Sequence, residues 1–545
     1  MVMFMLNNKF YNRRRFLQTA GLFSAGLMTS IVSPNRTSAQ DESVEAVVIG
    51  SGFGGAVAAL RLGQAGIDTL IIERGRRWPI TSAQNTFATY RNPDGRAAWL
   101  SPKTVLFDEV PIDVYTGVLE RKNENGVSVY CGAGVGGGSL VYNGVIYQPP
   151  RELFYQVFPR EIDYDEMDRV YYPRVHSIIQ PAPIPQDILA TDYYLSTRLF
   201  LQQAAVAGLP SRLLDVAVDW DIVRQEINGT KVPSAIIGEN WYGLNSGARK
   251  SLDRNYFTQA EQTGSVEILP LHIATEISEV PGYGYRVTCN QINESGEIVA
   301  TKTITCKYLF LAAGSMGTST LLVKAKATGT LPRLNDYIGL DWGTNGDTLT
   351  IRLGFPQPTN PSQGGPATVV TQYFDNPLGP VSFLSFPTWN APEGSLISLG
   401  IGLPSVRGRF NYDSTTGLVK LKWPDSNNLG DSTILKAAEF ASRLIERKNA
   451  TSTSQPQTDI TIGSYSQRKI RITDQVSDNI PVFHPLGGAV LGKACDLYGR
   501  VIGYGGLYIV DSALIPGSTA AASPSFTIAA LAERCIERII AEDIA

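Results

Sequence analysis

Residues 44–75 of the chain read VEAVVIGSGFGGAVAALRLGQAGIDTLIIERG, and this stretch decides the predicted fold. The apolar run 44–49 predicts a buried strand, the alanine- and leucine-rich run 56–66 predicts a helix that ends on glycine, and 69–72 predicts a second strand. A strand, a glycine-rich turn, a helix and a strand within about thirty residues indicate a βαβ unit that binds a dinucleotide. Without these neighbours, the glycines would indicate only a tight turn.

Individual residues of this unit have separate predicted roles. Gly50 permits the tight turn, Gly52 lets the backbone approach a pyrophosphate, and Gly55 lets the helix lie close to the sheet. The helix N-terminus offers free N–H groups and a partial positive charge to the phosphates. Glu73 follows the glycine motif by roughly 20 residues. At this separation such units place a carboxylate that accepts from the ribose hydroxyls. An acid there argues against NADP and leaves FAD and NAD open.

Length and composition set broad limits. The 545 residues suffice for about two to four domains. Charged residues make up 18% of the chain and the formal net charge is −3, so no basic field favours a nucleic acid as partner. The five cysteines are scattered and lack CxxC spacing, which indicates neither a metal site nor a disulfide framework. We expect mainly buried thiols, with at most one disulfide after export.

The N-terminus reads as a targeting segment. Paired arginines at Arg13 and Arg14 precede an uncharged run, 16–34, and the small residues 37–39 offer a cleavage point. This pattern resembles a twin-arginine export signal over residues 1–39, which predicts a periplasmic or secreted protein. A retained membrane anchor is the alternative, although the run is short and diluted for a membrane span. Because twin-arginine export carries folded proteins with their cofactor, the signal favours a tightly held cofactor such as FAD.

A second glycine-rich stretch, residues 132–144, reads GAGVGGGSLVYNG. So many glycines let a main chain lie against a flat or charged group. A flexible linker is the alternative, but the apolar residues Val135, Leu140 and Val141 are unusual in linkers. The stretch therefore predicts that the chain returns to a bound cofactor after an aromatic-rich excursion.

The rest of the chain alternates helical and strand-like segments. Residues 151–245 combine helical stretches with many aromatic side chains, which suits a cover over an apolar cavity and equally the cores of helices. Residues 285–301 predict a hairpin, and 308–311 predict a buried strand. A separate sheet region follows at 342–479. The block 482–534 then carries a histidine, a strand that ends in an acid, and a helix.

Several separated motifs occur in a fixed order: GAGVGGGSLVYNG at 132–144, FLAAGS at 310–315, FHPLGG at 483–488, YIVDSALIPGS at 508–518 and SPSFTIAALAER at 523–534. Together with the N-terminal βαβ unit they resemble the glucose-methanol-choline (GMC) oxidoreductases, most closely the bacterial cholesterol oxidases that hold FAD non-covalently. The resemblance covers nearly the whole chain after the export signal.

The resemblance implies an α/β fold, in which an FAD-binding Rossmann-like domain is interleaved with an α+β substrate-binding domain whose mixed sheet lies under helices. The FAD-binding domain would comprise residues 44–77, 249–341 and 496–545. The substrate-binding domain would comprise residues 78–248 and 342–495, with 132–145 returning to the flavin.

The resemblance also implies which residues bind the cofactor. They are Phe53, Gly54 and Glu73 at the pyrophosphate and ribose, Ala274 at the adenine, Gly138, Tyr142, Asn143 and Val145 along the flavin, and Asp511 with Ser512 at the ribityl chain. His484 matches the active-site histidine over the isoalloxazine.

Apart from the resemblance, the chemistry of alcohol oxidation also requires such a group. Hydride transfer to a flavin is accompanied by loss of the hydroxyl proton, so a group that titrates near neutrality must lie at that oxygen. A packed core histidine is the alternative for His484. The other two histidines, His176 and His272, lack this context and are predicted to be structural or surface residues.

The chain departs from the family at two functional positions. Ser523 replaces the family asparagine before proline, with one extra residue upstream, and its shorter side chain is expected to assist catalysis only weakly. An ungapped comparison puts Ser385 where cholesterol oxidases carry the glutamate that moves a proton during double-bond isomerisation. A hydroxyl cannot replace a carboxylate in that step, and Glu393 is the alternative carboxylate. Oxidation is therefore expected, while isomerisation is in doubt.

These observations predict an exported FAD enzyme that oxidises the hydroxyl of a large apolar alcohol, such as a sterol, with oxygen as the electron acceptor. A dehydrogenase that passes electrons to another acceptor, and a flavin-holding lipid-binding protein with little turnover, are the alternatives. We expect a monomer that contacts membrane surfaces transiently, without a metal or nucleic-acid partner.

Overall fold

The computed structural model of the protein describes residues 41–106, 109–385, 387–424, 432–449, 460–462 and 479–544. The predicted export signal, residues 1–39, lies outside the described residues. The described strands, in chain order, are β1 (Asp41–Ile49), β2 (Thr69–Ile72), β3 (Leu119–Glu124), β4 (Val127–Gly132), β5 (Val145–Ile146), β6 (Ser211–Leu213), β7 (Asp215–Val216), β8 (Val266–Leu269), β9 (His272–Val280), β10 (Gly284–Ile292), β11 (Ile298–Leu311), β12 (Thr348–Leu353), β13 (Val369–Tyr373), β14 (Val381–Ser385), β15 (Ser395–Gly402), β16 (Arg409–Asp413), β17 (Leu418–Lys422), β18 (Ile460–Ile462), β19 (Ile480–Val482) and β20 (Leu507–Ile509).

Helices surround these strands. They are α1 (Phe53–Gln64), α2 (Arg151–Val157), α3 (Tyr164–Glu166), α4 (Tyr172–Ile179), α5 (Gln186–Leu189), α6 (Leu195–Val206), α7 (Trp220–Ile227), α8 (Tyr256–Gln262), α9 (Gly314–Thr328), α10 (Ser432–Asn449) and α11 (Pro524–Ile539). Over the parts of the chain that the structure describes, none of them combines the length and the apolar character needed to cross a membrane.

The predicted βαβ unit forms the centre of the first sheet, whose strand order is β8-β2-β1-β11-β10-β9, with β20 paired to β11. β1, β2, β8 and β20 run parallel to their neighbours, whereas β9 and β10 are antiparallel. The observed β2 has the predicted bounds, and β1 and α1 each begin three residues earlier than predicted. Because β2 is buried along its whole length, its sequence is continuously apolar rather than alternating.

β11 joins two segments that the sequence pattern separates. Residues 298–301 are predicted as one arm of a hairpin and 308–311 as a buried strand, yet Ile298–Leu311 is a single strand of 14 residues. Its first part pairs with β10 and its last part lies between β1 and β20. The solvent-exposed residues at its start hide this continuity, because only its end is buried on both faces.

The second sheet has the order β18-β12-β15-β14-β13-β6, and each of its described pairings is antiparallel. Phe383 of β14 packs with Ala438 and Ala441 of α10 on one face of this sheet. Leu384 and its cross-strand partner Leu399 belong to a separate apolar cluster on the other face. This alternation decides which side chains of β14 reach the cavity described below.

A small third sheet brings His484 next to the second glycine-rich stretch. β19 pairs in parallel with β4, and β4 pairs with β3. The segment that follows β19 contains His484, and the segment that follows β4 is the second glycine-rich stretch. These two segments are some 350 residues apart in sequence, and the β19–β4 pairing brings them side by side.

The sheets draw their strands from the two predicted sets of ranges. The first sheet uses residues 41–72, 266–311 and 507–509, and the second uses 211–213 and 348–462. The described residues nevertheless pack as one compact unit, so the domain boundaries themselves stay a prediction. The α/β fold class is confirmed by these mixed sheets and helices.

The cysteines are free thiols in the structure. Cys289, Cys306, Cys495 and Cys535 are buried as predicted, and Cys131 is half-buried.

Candidate active site

One cavity of about 650 Å³ collects residues from distant parts of the chain. It runs past the carboxyl ends of β1 and β2, the loop after β4, and the N-termini of α9 and α11. All the predicted site residues except Gly55 line it: Gly50, Gly52, Phe53, Gly54, Glu73, Gly138, Tyr142, Asn143, Val145, Ala274, His484, Asp511, Ser512 and Ser523. The fold therefore places the predicted nucleotide-binding and reacting groups around one space.

The first glycine turn is tightly packed. Gly50 has a φ of +102°, a conformation that favours glycine. A Cβ added at Gly55 would lie 2.1 Å from the carbonyl oxygen of Gly50, and one at Gly54 would lie 1.9 Å from that of Val510. Gly55 thus lets α1 approach the turn, which is its predicted role, although it does not itself line the cavity. Gly54 also serves packing, because it lets α1 approach the end of β20.

Gly52 and Gly138 face open space instead. A Cβ added at either glycine would meet no heavy atom within 4 Å. Behind them the two glycine-rich loops touch, since a Cβ at Gly137 would lie 2.8 Å from the Cα of Gly52. The backbones at Gly52 and Gly138 are therefore accessible from the cavity, as close approach by a phosphate or a flat ring requires.

Glu73 is buried at the end of β2 and holds both glycine loops in place. Its carboxylate accepts hydrogen bonds from the Ser51 hydroxyl at 2.5 Å, the Ser51 N–H at 3.1 Å and the Gly75 N–H at 2.7 Å. The Ser51 hydroxyl oxygen in turn accepts from the N–H of Gly136 at 3.2 Å. Sequence reasoning missed Ser51, because a serine inside a glycine motif has no signature until its partners are known.

The second glycine-rich loop is bound to its surroundings, which argues against the alternative of a flexible linker. The Ser139 hydroxyl donates to the Gly136 carbonyl at 2.7 Å and accepts from the Leu252 N–H at 3.0 Å. Further along this loop, the rings of Tyr142 and Phe53 make an edge contact, with centroids 5.6 Å apart. The loop thus forms a shaped wall of the cavity.

Asp511 is a buried carboxylate at the end of β20. It accepts hydrogen bonds from the Thr318 hydroxyl at 2.5 Å and from the N–H groups of Gly314 and Ala513, both at 2.8 Å. Burial raises the pKa of Asp511 to about 6, although these bonds oppose the shift. Ser512 accepts from the N–H of Ser315 at 2.9 Å, so its hydroxyl anchors the start of α9.

Ala274 lines the cavity near the start of β9, and His272 lies beside it. His272 is buried, with Nδ1 2.8 Å from the Pro270 carbonyl oxygen, which agrees with a structural histidine, and it also lines the cavity, which the sequence did not indicate. Its burial lowers its pKa. His176 is exposed, 3.6 Å from Asp215, and matches the predicted surface placement.

His484 lies at the cavity wall just beyond β19, and Asp347 holds it. Nδ1 of His484 lies 2.6 Å from Oδ1 of Asp347. The other carboxylate oxygen accepts from the backbone N–H groups of Phe483 at 3.0 Å and His484 at 3.1 Å. The Asp347 side chain is only 1% exposed, whereas that of His484 is 19% exposed. Sequence reasoning missed Asp347, which lies 137 residues before the histidine and belongs to no recognised motif.

Ser523 is the N-cap residue of α11 and faces the cavity. Its hydroxyl makes no capping bond to the helix, so it is available to a ligand. The extra residue before it falls in a tightly turned loop, in which Ala520 and Ala521 both have left-handed φ values of about +60°. Asn345 holds this loop by donating to the Ala522 carbonyl at 2.9 Å. α11 begins at Pro524, directly after Ser523.

The two predicted positions for an isomerisation carboxylate lie away from the cavity. Leu384 and Leu399 line the cavity, and because side chains alternate along a strand, Ser385 faces the opposite side of the sheet. Glu393 accepts from the Thr359 hydroxyl at 3.2 Å and does not line the cavity either. Neither Ser385 nor Glu393 therefore faces the cavity in the structure.

An apolar wall lies near His484. The ring of Phe483 stacks on Tyr130 with centroids 5.2 Å apart and contacts Trp241 at 5.3 Å. These three aromatic residues line the cavity together with Leu384 and Leu399. An alcohol whose hydroxyl reaches the imidazole would therefore lie among aromatic and aliphatic carbon atoms.

The residues present fit FAD. The two open glycines offer backbone N–H groups to a pyrophosphate, and the helix that begins at Phe53 adds its positive end. Glu73, after β2, and Asp511, after β20, would accept hydrogen bonds from ribose and ribityl hydroxyls. The start of α11 also faces the cavity, so its N-terminus favours negative charge there. Among the described residues, no group of three or more histidine, cysteine and acidic side chains could hold a metal ion.

Comparisons with known proteins agree with this arrangement. Two GMC oxidoreductase family models match the chain, one over residues 44–330 and the other over residues 404–532. A cholesterol oxidase of Mycobacterium tuberculosis is 25% identical over 550 residues, 90% of each chain. One of Acinetobacter baumannii is 24% identical over 577 residues, 91% of this chain and 94% of the relative.

Solved structures share the fold at low sequence identity. A pyridoxine 4-oxidase from Mesorbium loti has a TM-score of 0.62 at 16% identity and covers 91% of this chain and 99% of its own. A fungal aryl-alcohol oxidase has a TM-score of 0.61 at 13% identity, with 92% and 99% covered. The predicted FAD cofactor is thereby confirmed. The protein belongs to the GMC oxidoreductases, FAD enzymes that act on alcohols.

Proposed function

We propose that the enzyme oxidises the secondary hydroxyl of a large apolar alcohol, with a sterol as the first candidate, and passes the electrons to oxygen. The observation that carries the proposal is the imidazole of His484, held by a buried carboxylate and facing a cavity whose nearby wall is aromatic and aliphatic. The likeness to cholesterol oxidases over 90% of the chain supports the choice of a sterol.

The chemistry requires few protein groups. FAD supplies the acceptor for the hydride that leaves the carbinol carbon. Nδ1 of His484 donates to Asp347, so Nε2 carries a free electron pair that accepts the hydroxyl proton as the carbonyl double bond forms. The hydroxyl of Ser523 is available to bond the substrate oxygen. Phe483 and Trp241 would exclude water from the reacting atoms.

We propose that the reaction ends at the ketone, without double-bond isomerisation. Among the described residues, the carboxylates that line the cavity are Glu73, Glu120 and Asp511. Each is already engaged: Glu120, for example, accepts from Arg74 at 2.6 Å. None of them belongs to the apolar wall, where the rings of a sterol would lie, so no described carboxylate is placed to move a proton between ring carbons.

The test is anaerobic flavin reduction by sterols, terpenoid alcohols, long-chain alcohols and short alcohols. We expect sterols to bleach the flavin fastest, and His484→Ala to slow the reaction by about 10²- to 10⁴-fold, the usual contribution of a general base. The matched control is His176→Ala, because His176 is an exposed histidine outside the cavity.

Equal rates in His484→Ala and the wild type would refute the role of His484. A flavin that only short alcohols reduce would refute the apolar substrate. A flavin that no alcohol reduces would favour the lipid-binding alternative. Mixing the reduced enzyme with air then tests the acceptor, since slow reoxidation together with turnover on an artificial acceptor would favour a dehydrogenase.

A further inference from the structure

The side chain of Asp347 makes all its described hydrogen bonds to one short segment. Oδ1 lies 2.6 Å from Nδ1 of His484, and Oδ2 accepts from the N–H groups of Phe483 and His484. The loop that carries Asp347 is itself attached to the segment after the histidine, because Gly343 and Leu486 exchange two backbone hydrogen bonds of 2.8 and 3.0 Å. The carboxylate is thus fixed relative to the imidazole from both sides.

This arrangement determines which nitrogen of His484 carries the proton. An ionised carboxylate can only accept hydrogen bonds, and Oδ2 already accepts two from the backbone. Nδ1 must therefore be the donor to Oδ1, which leaves Nε2 unprotonated in the neutral imidazole. The same carboxylate lies beside the ring when it becomes positively charged, and it stabilises that charge.

We propose that Asp347 is a positioning residue that holds His484 in the tautomer able to take the substrate proton and that stabilises the resulting imidazolium. This inference rests on the proposed function of His484 as the base. Asp347 does not line the cavity, so it acts through the imidazole and not on the substrate.

The substitution Asp347→Asn separates charge from shape. Two backbone N–H groups need an acceptor, so the amide oxygen is expected to turn toward Phe483 and His484 and the amide N–H₂ toward Nδ1. Nδ1 would then become an acceptor, and the proton would move to Nε2. The imidazole keeps its place and loses its ability to act as a base.

The experiment uses the FAD-loaded enzyme with ¹⁵N-labelled histidine. The chain has only three histidines, so the imidazole signals can be assigned by substituting His176 and His272 one at a time. We expect a protonated Nδ1 in the wild type and a protonated Nε2 in Asp347→Asn. We also expect the rate of flavin reduction to fall by about 10³-fold or more, as when a catalytic histidine is held in the wrong tautomer. The substrate dissociation constant should change less than about 3-fold, because Asp347 does not line the cavity.

A control variant tests whether the effects are specific to Asp347. Asp336→Asn, which alters a fully exposed carboxylate, should change neither the tautomer nor the rate. Asp347→Ser is measured in parallel and decides the matter if Asp347→Asn does not retain FAD. An unchanged tautomer with a rate within about 3-fold of the wild type overturns the role of Asp347, while a slow His484→Ala would leave the proposed function standing. If no alcohol reduces the wild-type flavin, the proposed function is refuted. The ¹⁵N spectra of wild type and Asp347→Asn then test by themselves whether Asp347 sets the tautomer of His484.

Discussion

The buried Asp511 makes a quantitative prediction about stability and pH. Burial raises its pKa from 3.8 to about 6, a shift of about two units, which corresponds to about 3 kcal/mol in the free energy of unfolding. Because the pKa is raised in the folded state, the folded protein binds the proton more tightly. The associated stability is fully present below about pH 4 and is lost as the pH rises through about 6.

Replacing Asp511 with asparagine removes this titration. In the apoprotein, the unfolding free energy of Asp511→Asn minus that of the wild type should rise by about 2.4 kcal/mol between pH 4 and pH 7. Urea unfolding followed by tryptophan fluorescence measures this difference. Asp375→Asn, at an exposed position, should change it by less than about 0.5 kcal/mol. If the difference in unfolding free energy between Asp511→Asn and the wild type does not change with pH, burial does not raise the pKa of Asp511 against the three hydrogen bonds, and the prediction is refuted.

Two glycine substitutions should separate FAD affinity, measured as the dissociation constant of the reconstituted apoprotein by flavin fluorescence, from the stability of the apoprotein. Gly52→Ala should keep the stability of the apoprotein and weaken FAD binding about 10- to 100-fold, because its Cβ enters the space that a phosphate needs. Gly55→Ala should instead lower the melting temperature of the apoprotein, because its Cβ would lie 2.1 Å from a carbonyl oxygen. Unchanged affinity in Gly52→Ala would contradict this assignment.

Leu418 is 59% exposed at the tip of the β16–β17 hairpin and lines the cavity, so bound FAD should cover it. Leu418→Ser should weaken FAD binding about 10-fold, whereas Leu378→Ser, 41% exposed and outside the cavity, should not.

The sequence alone predicted the nucleotide unit well, because its signals are local. Gly50, Gly52 and Gly55 follow one another at short spacing between two apolar runs, and those runs report burial directly, although the close contact that confines Gly50 comes from Ala312. The order of the later motifs was enough to predict the α/β class, FAD and the place of His484. Export stays a prediction from residues 1–39.

The tertiary structure decided the features that depend on distant pairings. The contact between Asp347 and His484 requires two loops 137 residues apart to come together. The sequence of neither loop indicates this pairing. The face on which Ser385 lies depends on the register of β14 with β15, and a shift of one residue reverses it. Hydrogen bonds and strand register are set by the packed fold as a whole, so a pattern that reports local burial and turns carries no information about them.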